Sequence, residues 1–227
     1  MKPWKHALTF AALTSITLTL GCGAMLRGER LLPRVREDAD KAFDRGDYAQ
    51  ARADYTEYLE QRPGEARVRS RLAQTMILTG DANMAVDHAQ IAYSSDPTRG
   101  EFVETFADAL LASNRNSQLF DLLRSQATDR GTVSDYDRLG RFSARAGDAD
   151  GAEEAFLFAA KIDGGRTVGP QIALADFYES IGDKPKALER LRMASWIDPL
   201  NKPVAERIRG YGQIPGPSFA LQPTEWE

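Results

Sequence analysis

Apolar side chains recur three and four positions apart along most of this chain, as in Leu72 and Met76, Phe106 and Leu110, or Leu174 and Tyr178. That spacing lays an apolar stripe along an α-helix. Short polar breaks separate the stripes, and the same break keeps returning. "GDYAQA" at residue 46 reappears as "GDANMA" at 80, "GDADGA" at 147 and "GDKPKA" at 182. Alternating runs of β-branched residues, which would argue for strands, are missing outside the first twenty positions. The pattern predicts an all-α protein.

The spacing of the breaks sets the organisation. Gly46 and Gly80 are 34 residues apart, Gly80 and Gly147 are 67, and Gly147 and Gly182 are 35. Each glycine is expected to close a helix in the left-handed conformation, where it suffers no Cβ clash. The aspartate that follows is expected to cap the next helix. Five residues past the glycines come Ala51, Ala85, Ala152 and Ala187, small enough for two helices to approach closely. Seven residues before them stand Ala39, Ala73, Gly140 and Ala175, with Ala107 at the matching place between the second and third glycines. Helix stops follow, "RPGE" at 62, "DPTR" at 96, "DGGR" at 163 and "DPLN" at 198. On this reading Arg45-Gly46-Asp47 is a helix end followed by a helix start. It is not an adhesion loop.

A 34-residue period of helix pairs with these residues in register resembles the tetratricopeptide repeat. Five units are expected, 32–65, 66–99, 100–132, 133–167 and 168–201, together 170 of the 227 residues. The resemblance implies a right-handed α-solenoid whose first helices line a concave groove for a protein or peptide partner. The register places Arg67, Arg71, Glu101, Glu104 and Asp108 on that groove, followed by Arg138, Arg141 and Arg145. Arg36, Asp40, Gln74, Asp176 and Glu179 share the same face. The three arginines of unit four fall three and four apart on one helix face, beside the acidic row of unit three. They read as a groove for a partner of mixed charge, or as a solvated mixed-charge surface. The matched Lys and Asn residues of the chaperone-binding relatives are not found.

Unit three departs from the pattern, with Asn114 for glycine, Arg115 for aspartate and Leu119 for alanine. Its helix pair is expected to pack less tightly. After unit five, Val204 and Ile208 predict a capping helix within 202–212 that covers the last apolar face. The tail 213–227 contains Pro215, Pro217 and Pro223 and reads as extended or disordered, a loose tail; the alternative is that Phe219, Leu221 and Trp226 dock on a groove.

The N-terminus carries a different signal. Lys2 and Lys5 precede "ALTFAALTSITLTLG", an apolar run of the length of a signal-peptide core and short of the roughly 20 residues a membrane span needs. The run ends at Gly21-Cys22, the one cysteine of the chain. This resembles a bacterial lipoprotein signal, although Thr19 and Leu20 differ from the usual residues. The resemblance implies removal of residues 1–21, a lipid on Cys22, and a lipidated linker 22–31 that holds the protein on an envelope membrane facing the periplasm. Loss of Lys2 and Lys5 would take the net charge from −4 to −6. The alternative is a conventional cleaved signal and a soluble periplasmic or secreted binding module.

Catalytic chemistry is hard to assemble from this sequence. Only His88 remains outside the signal, no phosphate-binding loop follows a strand, and no Cys/His metal spacing exists. Asp148, Asp150, Glu153 and Glu154 read as decoration of a helix N-terminus, not calcium ligands. A net charge of −4 argues against nucleic acid as a partner. The expectation is a non-catalytic scaffold without cofactors. Lipoproteins of this build resemble pilotins and assembly factors of envelope complexes.

Overall fold

The computed structural model describes residues 31–226. The signal segment, Cys22 and nearly all of the linker lie outside the described residues. Among the described residues there are eleven α-helices, one short 3-10 turn and no strand. None of these helices is long and apolar enough to cross a membrane.

Ten helices form five antiparallel pairs: α1 (Leu32–Asp44) with α2 (Tyr48–Gln61), α3 (Ala66–Leu78) with α4 (Ala82–Ser95), α5 (Gly100–Ala112) with α6 (Asn116–Arg130), α7 (Val133–Arg145) with α8 (Ala149–Asp163), and α9 (Gly169–Ser180) with α10 (Lys184–Ile197). Each pair packs on the next, as an α-solenoid requires.

The pairs share one turn. Gly46, Gly80, Gly147 and Gly182 have φ between +78 and +86°. The amide of the residue after each glycine donates to the carbonyl five residues back: Asp47 to Ala42 at 2.9 Å, Asp81 to Met76 at 2.8 Å, Asp148 to Ser143 at 2.9 Å and Asp183 to Tyr178 at 2.8 Å. These bonds satisfy carbonyls that the helix end leaves open. Unit three keeps the turn without glycine. Asn114 takes φ +58°, and Arg115 N–H donates to Leu110 C=O at 2.8 Å. Asparagine is among the few side chains that tolerate this region.

The aspartates behave less uniformly than the repeat suggests. Asp47, Asp148 and Asp183 accept from the amides of Gln50, Gly151 and Lys186 at 3.2, 2.9 and 3.1 Å. Asp81 makes no side-chain cap, because Arg52 of α2 holds its carboxylate. The expected cap is replaced there by a tie between units one and two.

Ala51, Ala85, Ala152 and Ala187 are fully buried, as are Ala39, Ala73, Ala107 and Ala175. Gly140 has a sharper reason to be small. A Cβ there would lie 2.8 Å from the Phe156 ring, closer than real packing allows. Leu119 is buried where the other units have alanine, and α6 packs least closely of the second helices on its partner.

α11 (Lys202–Gly210) closes the stack, with Val204 and Ile208 buried against α9 and α10. The segment after it is extended at 220–223 but is not loose. Leu221 N–H donates to Arg192 C=O at 3.2 Å, Arg192 Nε donates to Phe219 C=O at 2.8 Å, and Pro223 is buried. The prolines stop helix formation here, but the segment is anchored on α10.

Candidate functional site

The first helices α3, α5, α7 and α9 lie side by side, so their outward side chains form one continuous face. Cross-links along it are visible: Ser70 Oγ lies 2.9 Å from Thr105 Oγ1, and Gln74 Nε2 donates to the same hydroxyl at 2.9 Å. The face divides into three stretches.

At the N-terminal end Arg36, Asp40, Arg67, Val68, Arg71 and Glu101 line a cavity of about 300 Å³. Arg71 lies over the Phe43 ring at 4.6 Å, and Asp40 accepts from Tyr55 OH at 2.7 Å. Arg36 and Arg67 are exposed, and neither is bonded to a carboxylate among the described residues. This stretch is open to an anionic ligand group.

The middle stretch is closed on itself. The acidic and basic rows neutralise each other across units three and four. Glu104 accepts from Arg138 Nε at 2.9 Å and from Arg141 Nη2 at 2.7 Å. Arg145 pairs with Asp108 at 2.7 Å, and Arg141 also with Asp137 at 3.0 Å. Arg138 is therefore not an exposed groove charge. It is 5% exposed, and its Nη1 donates to Asp135 at 3.0 Å. Asp135 is buried and also held by Arg130 Nε at 3.2 Å and by Thr132. Arg138 and Asp135 lock units three and four together, and they are out of a partner's reach.

The third stretch is a groove of about 420 Å³ between α7 and α9. Ala144, Phe156, Ile172, Ala173 and Phe177 make an apolar floor, and Asp137, Arg141, Arg145 and Asp176 stand at the rim. Gly140 lets the Phe156 ring reach this floor from α8, and Phe177 lies 5.7 Å from it, centroid to centroid. The rim charges are engaged, Asp176 by Arg207 of α11 at 2.7 Å. What the groove offers a ligand is apolar surface inside a frame of charges already fixed in place. The sequence register picked out Arg141, Arg145 and Asp176 but not the floor. Gly140, the one glycine in a row of alanines, was the available signal.

His88 is half-buried and outside this face. Burial, reinforced by the Arg69 guanidinium 3.3 Å from its Nδ1, pushes its pKa below the ordinary histidine value. Its neutral ring accepts a hydrogen bond from Arg69, since arginine can only donate. Among the described residues no group of histidine, cysteine, aspartate and glutamate side chains could hold a metal ion.

A family model described as tetratricopeptide repeat matches residues 42–90. No curated protein sequence matches the chain. Solved structures do. A MamA protein is 20% identical, with 85% of this chain and 98% of that chain aligned at a TM-score of 0.53. A thermophilic TPR protein of Thermus thermophilus is 19% identical over 79% of this chain and 98% of its own, TM-score 0.53. The PilF protein of Pseudomonas aeruginosa is 16% identical over 80% of this chain and 84% of its own, TM-score 0.53. At these identities the likeness shows the fold. Together with the repeat register, it shows a tetratricopeptide-type α-solenoid fold, with the family model itself matching 42–90.

Proposed function

We propose that this tetratricopeptide-repeat solenoid is a non-catalytic scaffold that holds a segment of a partner protein along its first-helix face. The observation that carries the reading is the apolar floor between α7 and α9. A scaffold face that neutralises its own charges gains little from charge alone, whereas an apolar side chain buried in that groove contributes about 1.5–3 kcal/mol. An anionic group of the same partner could meet Arg36 and Arg67 at the other end. The partner would then be a segment with an apolar anchor and an acidic stretch.

The lipoprotein-like signal supports a place on a bacterial envelope membrane, with the scaffold assembling or stabilising an envelope complex in the manner of a pilotin. Two acyl chains suffice for stable attachment. The tests are separate. A photo-crosslinking residue at Ala144, in the native membrane, should capture a discrete partner that a probe at the exposed Ala53 of α2 does not. Equal, diffuse labelling from both positions refutes the groove. Labelled palmitate should enter the wild type and not Cys22→Ser. Absence of label from the wild type refutes the anchor and leaves the groove standing.

A further inference from the structure

The C-terminal end of the solenoid is not finished like a cap. A terminal unit keeps a helix stack soluble by turning a polar outer side to water. Here Leu200, just before α11, is 89% exposed, and Ile214, beyond its end, is 86% exposed. They are the two most exposed large apolar side chains among the described residues. A single exposed aliphatic residue needs no explanation. These two flank a recess. A cavity of about 390 Å³ is lined by Trp196 of α10, Pro199 after it, Ala205 and Arg209 of α11, and Pro215 and Pro217 beyond. Leu200 directly follows one lining proline, and Ile214 directly precedes another. Projecting side chains and a largely apolar recess thus belong to one patch.

The charges beside the recess are unpaired. Lys202, Glu206 and Arg209 are exposed and fall four and three positions apart, so they form one stripe along α11. None of them makes an ion pair among the described residues, not even Lys202 with Glu206 one turn on. Arg207 of the same helix, by contrast, is tied to Asp176 and Glu179. The stripe alternates in sign, so a uniformly acidic or basic partner would meet a like charge on it. A second copy of the stripe, run antiparallel, meets opposite charges. With the crossing between 206 and 209, each Glu206 faces the other copy's Arg209.

Projecting side chains, a recess and complementary charges on one patch are what a two-fold contact needs, because the same surface must serve both sides. We propose that the C-terminal end of the solenoid is a self-association surface for a second copy of this chain. Leu200 and Ile214 of each copy seat against the recess of the other, and Glu206 of each pairs with Arg209 of the other. The contact uses no residue that lines the first-helix groove, so the inference does not rest on that groove.

The test uses the full chain, first in its native membrane and then extracted in a mild detergent. A photo-crosslinking residue at Ile214 should give an adduct of twice the chain's mass, with every peptide from this chain. Sedimentation of the extracted protein should show a monomer–dimer equilibrium. Leu200→Asp with Ile214→Asp should raise the dimer dissociation constant at least tenfold. Circular dichroism should not change, since both side chains already stand in water. Glu206→Arg alone sets arginine against arginine and should weaken the dimer by a similar factor. Adding Arg209→Glu should restore affinity to within threefold of wild type. A monomer at every concentration overturns the proposal. So does an Ile214 adduct with another protein, or a dimer that neither the aspartates nor the charge reversal weakens. An adduct between copies from a probe at Ala144 and none from Ile214 also overturns it, since the copies then meet through the groove. Should the aspartates unfold the cap, the charge swap decides, and failure of the double variant to restore the dimer refutes the contact.

Discussion

Arg138 and Arg145 sit two helical turns apart on α7 and do different work. Arg138 and Asp135 have side chains 6% and 0% exposed, whereas those of Arg145 and Asp108 are 50% and 37% exposed. Breaking a buried pair strands a charge away from water, at a cost of about 3–5 kcal/mol. Solvent screens an exposed pair to about 0–1 kcal/mol. Arg138→Ala should therefore lower the urea midpoint sharply, and Arg145→Ala should barely move it. His88 gives a pH signature. Its folded pKa lies below the ordinary 6.5, with burial the largest cause, Arg69 next, and Asp87 pulling the other way. The unfolded chain then binds the proton more readily, so stability is lost as pH falls through about 6.5. Between pH 7.5 and 5.5 the wild-type midpoint should drop by more than that of His88→Gln. Equal drops would show that other groups carry the titration.

Among the elements, α6 is the one whose sequence and packing both depart from the rest. Asn114 rescues the turn, but buried Leu119 stands where a methyl lets the other pairs close up. Opening free energies vary along a solenoid with the quality of each interface. Amides of 116–130 should exchange faster than those of α4 and α8, and uniform protection would count against this. The same unit shows what a sequence can reveal. Turns closed by Gly46, Gly80, Gly147 and Gly182 are dictated by φ at one residue, so they are legible locally. Arg138 pairs with Asp135 three positions before it, but also with Glu104, 34 positions away, and no local pattern announces that second partner. Asp81 loses its cap to Arg52, 29 positions away, for the same reason. The apolar floor is built from three helices and was legible only through Gly140. In the tail, Phe219 and Leu221 were legible as docking residues, whereas the tie of Glu225 to Arg190, 35 positions away, was not.

For the whole molecule, the paired charges do more than neutralise a surface. Glu104 with Arg138 and Arg141, Asp108 with Arg145, and Asp176 and Glu179 with Arg207 all bridge neighbouring first helices or the cap. A stack of helix pairs is a spring, and these contacts lace one side of its coils together. Lacing one side sets the curvature at rest and raises the stiffness against opening in that direction. Most of the laces are part-exposed and so can be slackened by ions. Between about 0.1 M and 1 M salt the screening length falls from about 10 to about 3 Å. The radius of gyration from small-angle scattering should rise over that range, and Glu104→Gln should start from the larger value. A partner that must bend the solenoid open would then bind more readily in salt, the reverse of ordinary electrostatic attraction. The protein's compliance, not its charge, would decide which partner shapes fit.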